Sequence, residues 1–358
     1  VIDEHISFEQ IRGGRGLCLD GHCYDSVSLR TWLEVTPRLP HNRQPFTVAA
    51  LDDLMGRAVA PMQVFSAAAR DDEGIVLCVA FDSTGQLLTG SHTGIVQTWS
   101  AEGESILSFR ANFGPIYSVQ GSYDGGMILT ASHDRSALLW DVNAMGERYR
   151  FNHSHAVMAA GFSPAASLIA TGGLEGSVKL WDTQTGLLVK AFQFSSEVLS
   201  VAFWHSSPRQ AVVNVRLGAA RCVDAETGRI APTPFPDMVL VSQSPDGTRT
   251  LTVSADNKLR IWDEEGRAQL YIYRGLFGLI LLAVLSPDHR LLWICSADFT
   301  SRVVDAETGS VLLDLDIDCR ASMYSVAFSP CSQKLAVTEV GSSRVRIFDL
   351  RAVRADAL

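Results

Sequence analysis

The 358-residue chain has no apolar run near the roughly 20 residues that a helical bilayer span needs. Its longest, residues 276–285, is closed by Pro287 and reads as a buried strand, so no membrane partner is expected. Positive charge is also short. Lys and Arg number 30 against 39 Asp and Glu, the net charge is −9, and no basic block stands out, so no nucleic-acid partner is expected. Seven cysteines, at 18, 23, 78, 222, 295, 319 and 331, show no repeating close pair. An odd count without pairs argues against a disulfide framework and for a reducing compartment, cytoplasmic or nuclear. Catalytic motifs are missing as well: there is no Gly-x-Ser-x-Gly, no phosphate loop and no dinucleotide fingerprint, and the nine histidines are scattered. No small-molecule chemistry, catalytic residue or cofactor is expected. His92 and His133, at matching places before a turn, read as exposed loop residues.

What the chain does have is repetition. Strand endings of one kind recur as QTWS at Trp99, LLWD at Trp140, KLWD at Trp181, RCVD at Val223, RIWD at Trp262, RVVD at Val304 and RIFD at Phe348. Successive spacings are 41, 41, 42, 39, 42 and 44 residues, the length of a four-stranded propeller blade. Each unit also opens with a strand leading into a turn, as in VAFDSTGQ, VSQSPDGT and VAFSPCSQ.

Over residues 62–350 this pattern resembles the WD-repeat (WD40) family. The resemblance implies four strands (d, a, b, c in chain order) per unit around a central channel. Residues 63–68 would then be the first d strand and residues 344–350 the last c strand, paired so that no sheet edge is left open. It further implies a buried network of a His before strand a, a Ser on strand b, an Asp in the b–c turn and the Trp of strand c. Here that set is Ser132, Asp134 and Trp140 in the second unit, Ser254, Asp256 and Trp262 in the fifth, and His153 with Trp181 in the third, where Glu175 replaces Asp; Trp99 is the first unit's Trp. No unit holds all four as types. In the fourth, Leu217 and Val223 take the Asp and Trp places, which implies apolar packing. The family also places a ring of partner-binding residues at the channel mouth: Leu77, Tyr117, Met158, Leu199, Val239, Leu281 and Tyr324. The competing reading is that several of these are partly buried strand residues.

Residues 1–61 do not repeat. Apolar spacing suggests a short helix over residues 24–33, two prolines a rigid loop over 40–45, and Thr47 a cap for a helix over 48–59. The residues Ile6-Ser7-Phe8-Glu9, Gly21-His22, Tyr24-Asp25, Trp32-Leu33, Pro40, Arg43-Gln44-Pro45 and Thr47 make the segment resemble a U-box, the zinc-free relative of the RING domain. That resemblance implies that an apolar loop bearing Ile6 and Phe8 docks a ubiquitin-conjugating enzyme together with Pro40 and Arg43. Cys18, His22, Cys23 and His41 lack the paired spacing of a RING zinc site, so no metal is expected.

The expected fold is therefore mainly β: a seven-bladed WD40 β-propeller at residues 62–350, a small α+β U-box-like module at 1–61, and a tail at 351–358. Two functions stay open, both with proteins or peptides as partners. One is a ubiquitin-ligase-like adaptor acting by proximity; the other is a non-catalytic scaffold with a degenerate N-terminal cap.

Overall fold

A computed structural model describes residues 6–11, 14–19, 22–25, 62–66, 74–101, 103–204, 207–233, 238–244, 248–254, 257–263, 269–273, 280–297, 300–315, 325–338 and 343–351. Every secondary-structure element among them is a strand. Seven four-stranded antiparallel sheets follow one another. We number them as blades 1 to 7; their first strands, a, are Val76–Phe81, Ile116–Gly121, Val157–Phe162, Val198–Phe203, Met238–Gln243, Ile280–Leu285 and Val326–Phe328. Strands b, c and d follow in order across each sheet, so strand a forms one edge and strand d the other.

The blades close into a ring because each buries apolar side chains against the next. One cluster joins Leu180 and Phe192 of blade 3 to Val201 and Val213 of blade 4, and others join the remaining neighbours in turn. The last, with Val79 and Trp99 packed on Ala336 and Ile347, joins blade 7 to blade 1. Strand b is covered on both faces. Leu87–Ser91, Leu168–Gly173 and Leu291–Ser296 are buried at every position, which explains their lack of polar alternation. Strand d runs along the exposed rim, as Ser105–Arg110 does with three exposed and two half-buried residues among its last five. The apolar run at residues 276–285, expected as a buried strand, gives the strand Ile280–Leu285, but this is only partly buried and leaves Leu281 49% exposed.

Blade 7 takes its fourth strand from the start of the domain. Met62–Ser66 pairs antiparallel with Arg344–Asp349, from Phe348 opposite Met62 to Arg344 opposite Ser66. The sheet therefore has no unpaired inner strand at the point of closure.

The N-terminal segment departs from expectation. Ile6–Ile11, Gly14–Leu19 and His22–Asp25 form a three-stranded antiparallel sheet. Ile6 and Phe8, expected on a docking loop, are strand residues opposite Leu19 and Leu17. Tyr24 and Asp25, expected to open a helix, end the third strand. The physical reason is local: the dipeptide Asp20-Gly21 is a strong sequence signal for a two-residue hairpin, which favours strands on either side, and Leu19 pairs with His22. Pro40, Arg43 and the helix expected at 48–59 lie outside the described residues.

Candidate partner-binding face

Strand a begins irregularly in each of blades 1 to 6. In blade 1 the pairing to strand b steps from Val76 to Cys78 and skips Leu77. In blades 2 to 6 the skipped residues are Tyr117, Met158, Leu199, Val239 and Leu281. Such a β-bulge places two residues opposite one and re-aims the extra side chain out of the ladder. The flanking residues Val76, Cys78, Ile116, Val157 and Val198 are buried between blades, whereas Leu77, Tyr117 and Met158 are half-buried and Leu199 and Leu281 are 42% and 49% exposed. Six of the seven expected ring residues thus share one structural feature, and Tyr324 lies outside the described residues.

The d–a loops and b–c turns border these bulges, and a polar network ties them down. Its fullest form is in blade 3. Trp181 Nε1 donates to Thr171 Oγ1 at 2.8 Å, the Thr171 hydroxyl lies 2.7 Å from His153 Nε2, and His153 Nδ1 lies 2.5 Å from Glu175 Oε1. The order indole to hydroxyl, hydroxyl to Nε2, and Nδ1–H to carboxylate satisfies every member with a neutral histidine, the form that burial favours. Burial pushes the His153 pKa below its ordinary value. For Glu175 burial acts against the charge, but hydrogen bonds from Ser177 and His153 outweigh it and hold the carboxyl below its usual range.

The expected strand-b serines prove to be misplaced by two residues. The partner of each Trp is a threonine ten residues earlier: Thr89 for Trp99, Thr171 for Trp181 and Thr252 for Trp262. Ser132 instead donates to the carbonyl of Gly114, and Arg260 donates to Ser254. With Thr171 counted, blade 3 holds a complete four-member network. Blade 2 substitutes Asn112 for the histidine. Its Oδ1 accepts from Thr130 at 2.7 Å and its Nδ2 donates to Asp134, the same polarity as neutral imidazole. Trp140 Nε1 is buried without a partner, and its ring stacks on Phe109 at 4.3 Å. Asp256 lies outside the described residues. In blade 4, Val223 is fully buried as expected, but Leu217 is 78% exposed and adds nothing to the packing.

Phe113, Arg135 and the contact between Tyr117 and His133 on this face were not expected from sequence. Asp134 Oδ2 accepts the Phe113 amide at 2.8 Å, and the Phe113 ring is 81% exposed. Tyr117 Oη lies 3.0 Å from Nδ1 of the exposed His133, and burial raises the tyrosine pKa, which keeps the phenol neutral. Arg135 sits at φ 70 in the b–c turn where blades 1 and 3 have Gly94 at φ 84 and Gly176 at φ 77. A side chain there is strained. A loop aromatic just after a capping Asn, and an Arg where sister repeats have Gly, were the signals in the sequence that could have found them.

Comparison with known proteins agrees with this architecture. The family model "WD domain, G-beta repeat" matches residues 61–100, 103–141, 146–182 and 240–263, so the chain carries WD40 repeats; none of these stretches reaches residues 1–60. A ribosome biogenesis protein WDR12 homolog of Drosophila persimilis is 24% identical over 282 residues, covering 75% of this chain and 61% of that protein. The angio-associated migratory cell protein of Homo sapiens is 22% identical over 255 residues, covering 69% and 58%. The chain thus spans about three fifths of the curated relatives it matches. Among solved structures, the β-propeller domain of Cps50 (Swd1) from Myceliophteria thermophila superposes with a TM-score of 0.66 at 15% identity, covering 81% of this chain and 99% of that one. This likeness speaks to the β-propeller fold alone.

Proposed function

We propose that this WD40-repeat propeller is a protein-interaction scaffold whose partner sits on the face bearing the strand-a bulges. The carrying observation is that blades 1 to 6 each spend a bulge on one apolar or aromatic residue at the same place, beside exposed Phe113 and Leu217. Exposed aromatic and aliphatic groups in one patch suit the anchors of a peptide or a protein loop. Arg135 supports the same reading. A strained arginine kept where glycine would fit without strain is expected where its side chain has a use. Docking of a ubiquitin-conjugating enzyme would need Ile6 and Phe8 on a loop, and they lie in a strand.

The test is capture of partners from an extract of the source cells by the wild-type chain, by Leu199→Asp with Leu281→Asp, and by Leu187→Asp in the exposed c–d turn of blade 3, all checked for unchanged melting. Partners should be lost from the Leu199/Leu281 variant alone. Loss with Leu187→Asp and retention by the double variant would move the binding surface to the opposite side. Arg135→Gly sharpens the test: it should raise stability by about 1 kcal/mol, the cost of a left-handed side chain, while weakening partner capture.

A further inference from the structure

We propose that Cys18 and Cys23 are a redox couple that closes to a cross-strand disulfide. Their placement rests on two agreeing observations. The register pairs Leu19 with His22 and Cys18 with Cys23 across the hairpin of Gly14–Leu19 and His22–Asp25. Independently, the stretch LCLDGHCY carries Asp-Gly between apolar-rich flanks, the sequence signal for a two-residue hairpin loop with this register. In such a loop the residues flanking the turn exchange both hydrogen bonds, so the next pair, Cys18 and Cys23, is the non-hydrogen-bonded kind. Cα atoms of that kind are about 4.5 Å apart, inside the roughly 4.4 to 6.8 Å that a disulfide spans.

The chemistry balances with a disulfide oxidant, for which glutathione disulfide serves. One cysteine thiolate attacks a glutathione sulfur, the glutathione S–S bond breaks, and a glutathione thiolate leaves. The second cysteine thiolate then attacks the protein sulfur of this mixed disulfide and expels the second glutathione. Two electrons pass from the pair to glutathione, and the two protons end on the released glutathione thiols. Because the strands hold the second cysteine opposite the first, that step is intramolecular and the mixed disulfide does not accumulate.

The other cysteines provide controls. Cys78 and Cys295 are buried and Cys331 is exposed, none of them with a cysteine across a strand in the described pairings. Trypsin, cutting after Arg15 and Arg30, releases residues 16–30 with both cysteines of the pair and no other. The full chain is equilibrated in graded mixtures of reduced and oxidised glutathione, quenched in acid, denatured, alkylated with N-ethylmaleimide and mapped by mass spectrometry. Peptide 16–30 should pass from two labels to none with a loss of two hydrogens, while Cys78 and Cys295 stay labelled. The folded chain should reach half-oxidation at a glutathione disulfide fraction at least about tenfold lower than the chain in denaturant, because the register raises the effective concentration. Two labels at every ratio, one label plus one glutathione, or equal oxidation of folded and denatured chains would each overturn the proposal. So would protection from alkylation in the reduced chain that a chelator removes, since the pair would then be holding a metal.

Discussion

Blades 3 and 4 have the same four strands and opposite interiors. In blade 3, His153, Thr171, Glu175 and Trp181 form a continuous chain of hydrogen bonds from the strand-c indole to the b–c turn. In blade 4, Val213 and Val223 stand at the Thr and Trp places, both fully buried in the cluster shared with blade 3. The difference teaches that a Trp at this place comes with a Thr ten residues before it; the converse fails in blade 7, where Thr338 bonds the Ser325 backbone and Phe348 takes the Trp place. A buried indole N–H left without an acceptor costs about 1–3 kcal/mol, so the Thr is kept where the indole is kept, although in blade 2 Thr130 bonds Asn112 and Trp140 Nε1 has no partner. Where Trp becomes Val, the hydroxyl would be the orphan, and it too is gone. Blade 6 repeats the lesson with Ile294 and Val304, both buried.

The comparison breaks most visibly if Thr171 is replaced by Val, which keeps the shape and removes the hydroxyl. Trp181 Nε1 and His153 Nε2 both lose their partner, and the loss of stability should be about 2–4 kcal/mol by denaturant unfolding. Thr130→Val in blade 2 should cost less, since Trp140 Nε1 has no bond to lose there. The mirror change, Val213→Thr, buries a hydroxyl in an apolar cluster and should cost about 1–3 kcal/mol. Equal costs for Thr171→Val and Thr130→Val would show that the bond from the Trp181 indole adds nothing to the hydroxyl bond both blades have.

A smaller effect separates blade 3 from blade 2 through pH. Burial lowers the folded pKa of His153 beneath its ordinary 6.5, so the unfolded chain binds more protons over that range. This part of the stability is complete above about pH 6.5 and is lost as pH falls toward the depressed folded value. Glu175, held below its ordinary 4.5, adds a loss of the same sign at lower pH. Asn112 offers the same donor and acceptor without titrating. The melting temperature of the wild-type chain should therefore fall between pH 7 and 5.5, and His153→Asn should flatten that fall. An identical slope in the variant would assign the acid sensitivity to other groups.

How far the sequence could be read follows the same physics. The blade count, the closing strand and the place of six of the residues on strand a were legible because period and turn chemistry repeat from blade to blade. The network was read two residues out of place. Strand b carries both Thr130 and Ser132, two residues apart on one face of the strand, and types alone cannot say which hydroxyl meets the indole. The constant ten-residue gap from Thr89, Thr130, Thr171 and Thr252 to the following Trp does say it; both partners change in blades 4 and 6, and in blade 7 Thr338 stays while Phe348 replaces the Trp. Residues 1–61 have no such repetition, and there a resemblance over scattered residues outweighed the local Asp20-Gly21 hairpin signal.

The smallest expected effect lies in the a–b turns. In blade 2, Asp124 Oδ1 accepts from the Ser122 hydroxyl at 2.5 Å and from the Gly126 amide at 3.1 Å; in blade 6, Asp288 does the same with Ser286 and the Arg290 amide. Blade 7 has Cys331 at that place, with its sulfur 3.4 Å from the Ser329 hydroxyl. Burial pushes its thiol pKa up, but Ser329, the Gln333 amide and the charge of Lys334 outweigh it, and the net direction is down. The turn thus offers donors at this place, and sulfur is a weaker, larger acceptor than a carboxylate oxygen. Cys331→Asp should leave stability within about 0.5 kcal/mol of wild type, on the stabilising side, because a carboxylate accepts the same donors at shorter range. In the wild-type chain, N-ethylmaleimide should reach Cys331 before the buried Cys78, whose thiol burial holds in the protonated form. A loss above about 1 kcal/mol in Cys331→Asp would mean that blade 7 needs the sulfur's bulk in its turn, and that its a–b turn differs in kind from those of blades 2 and 6.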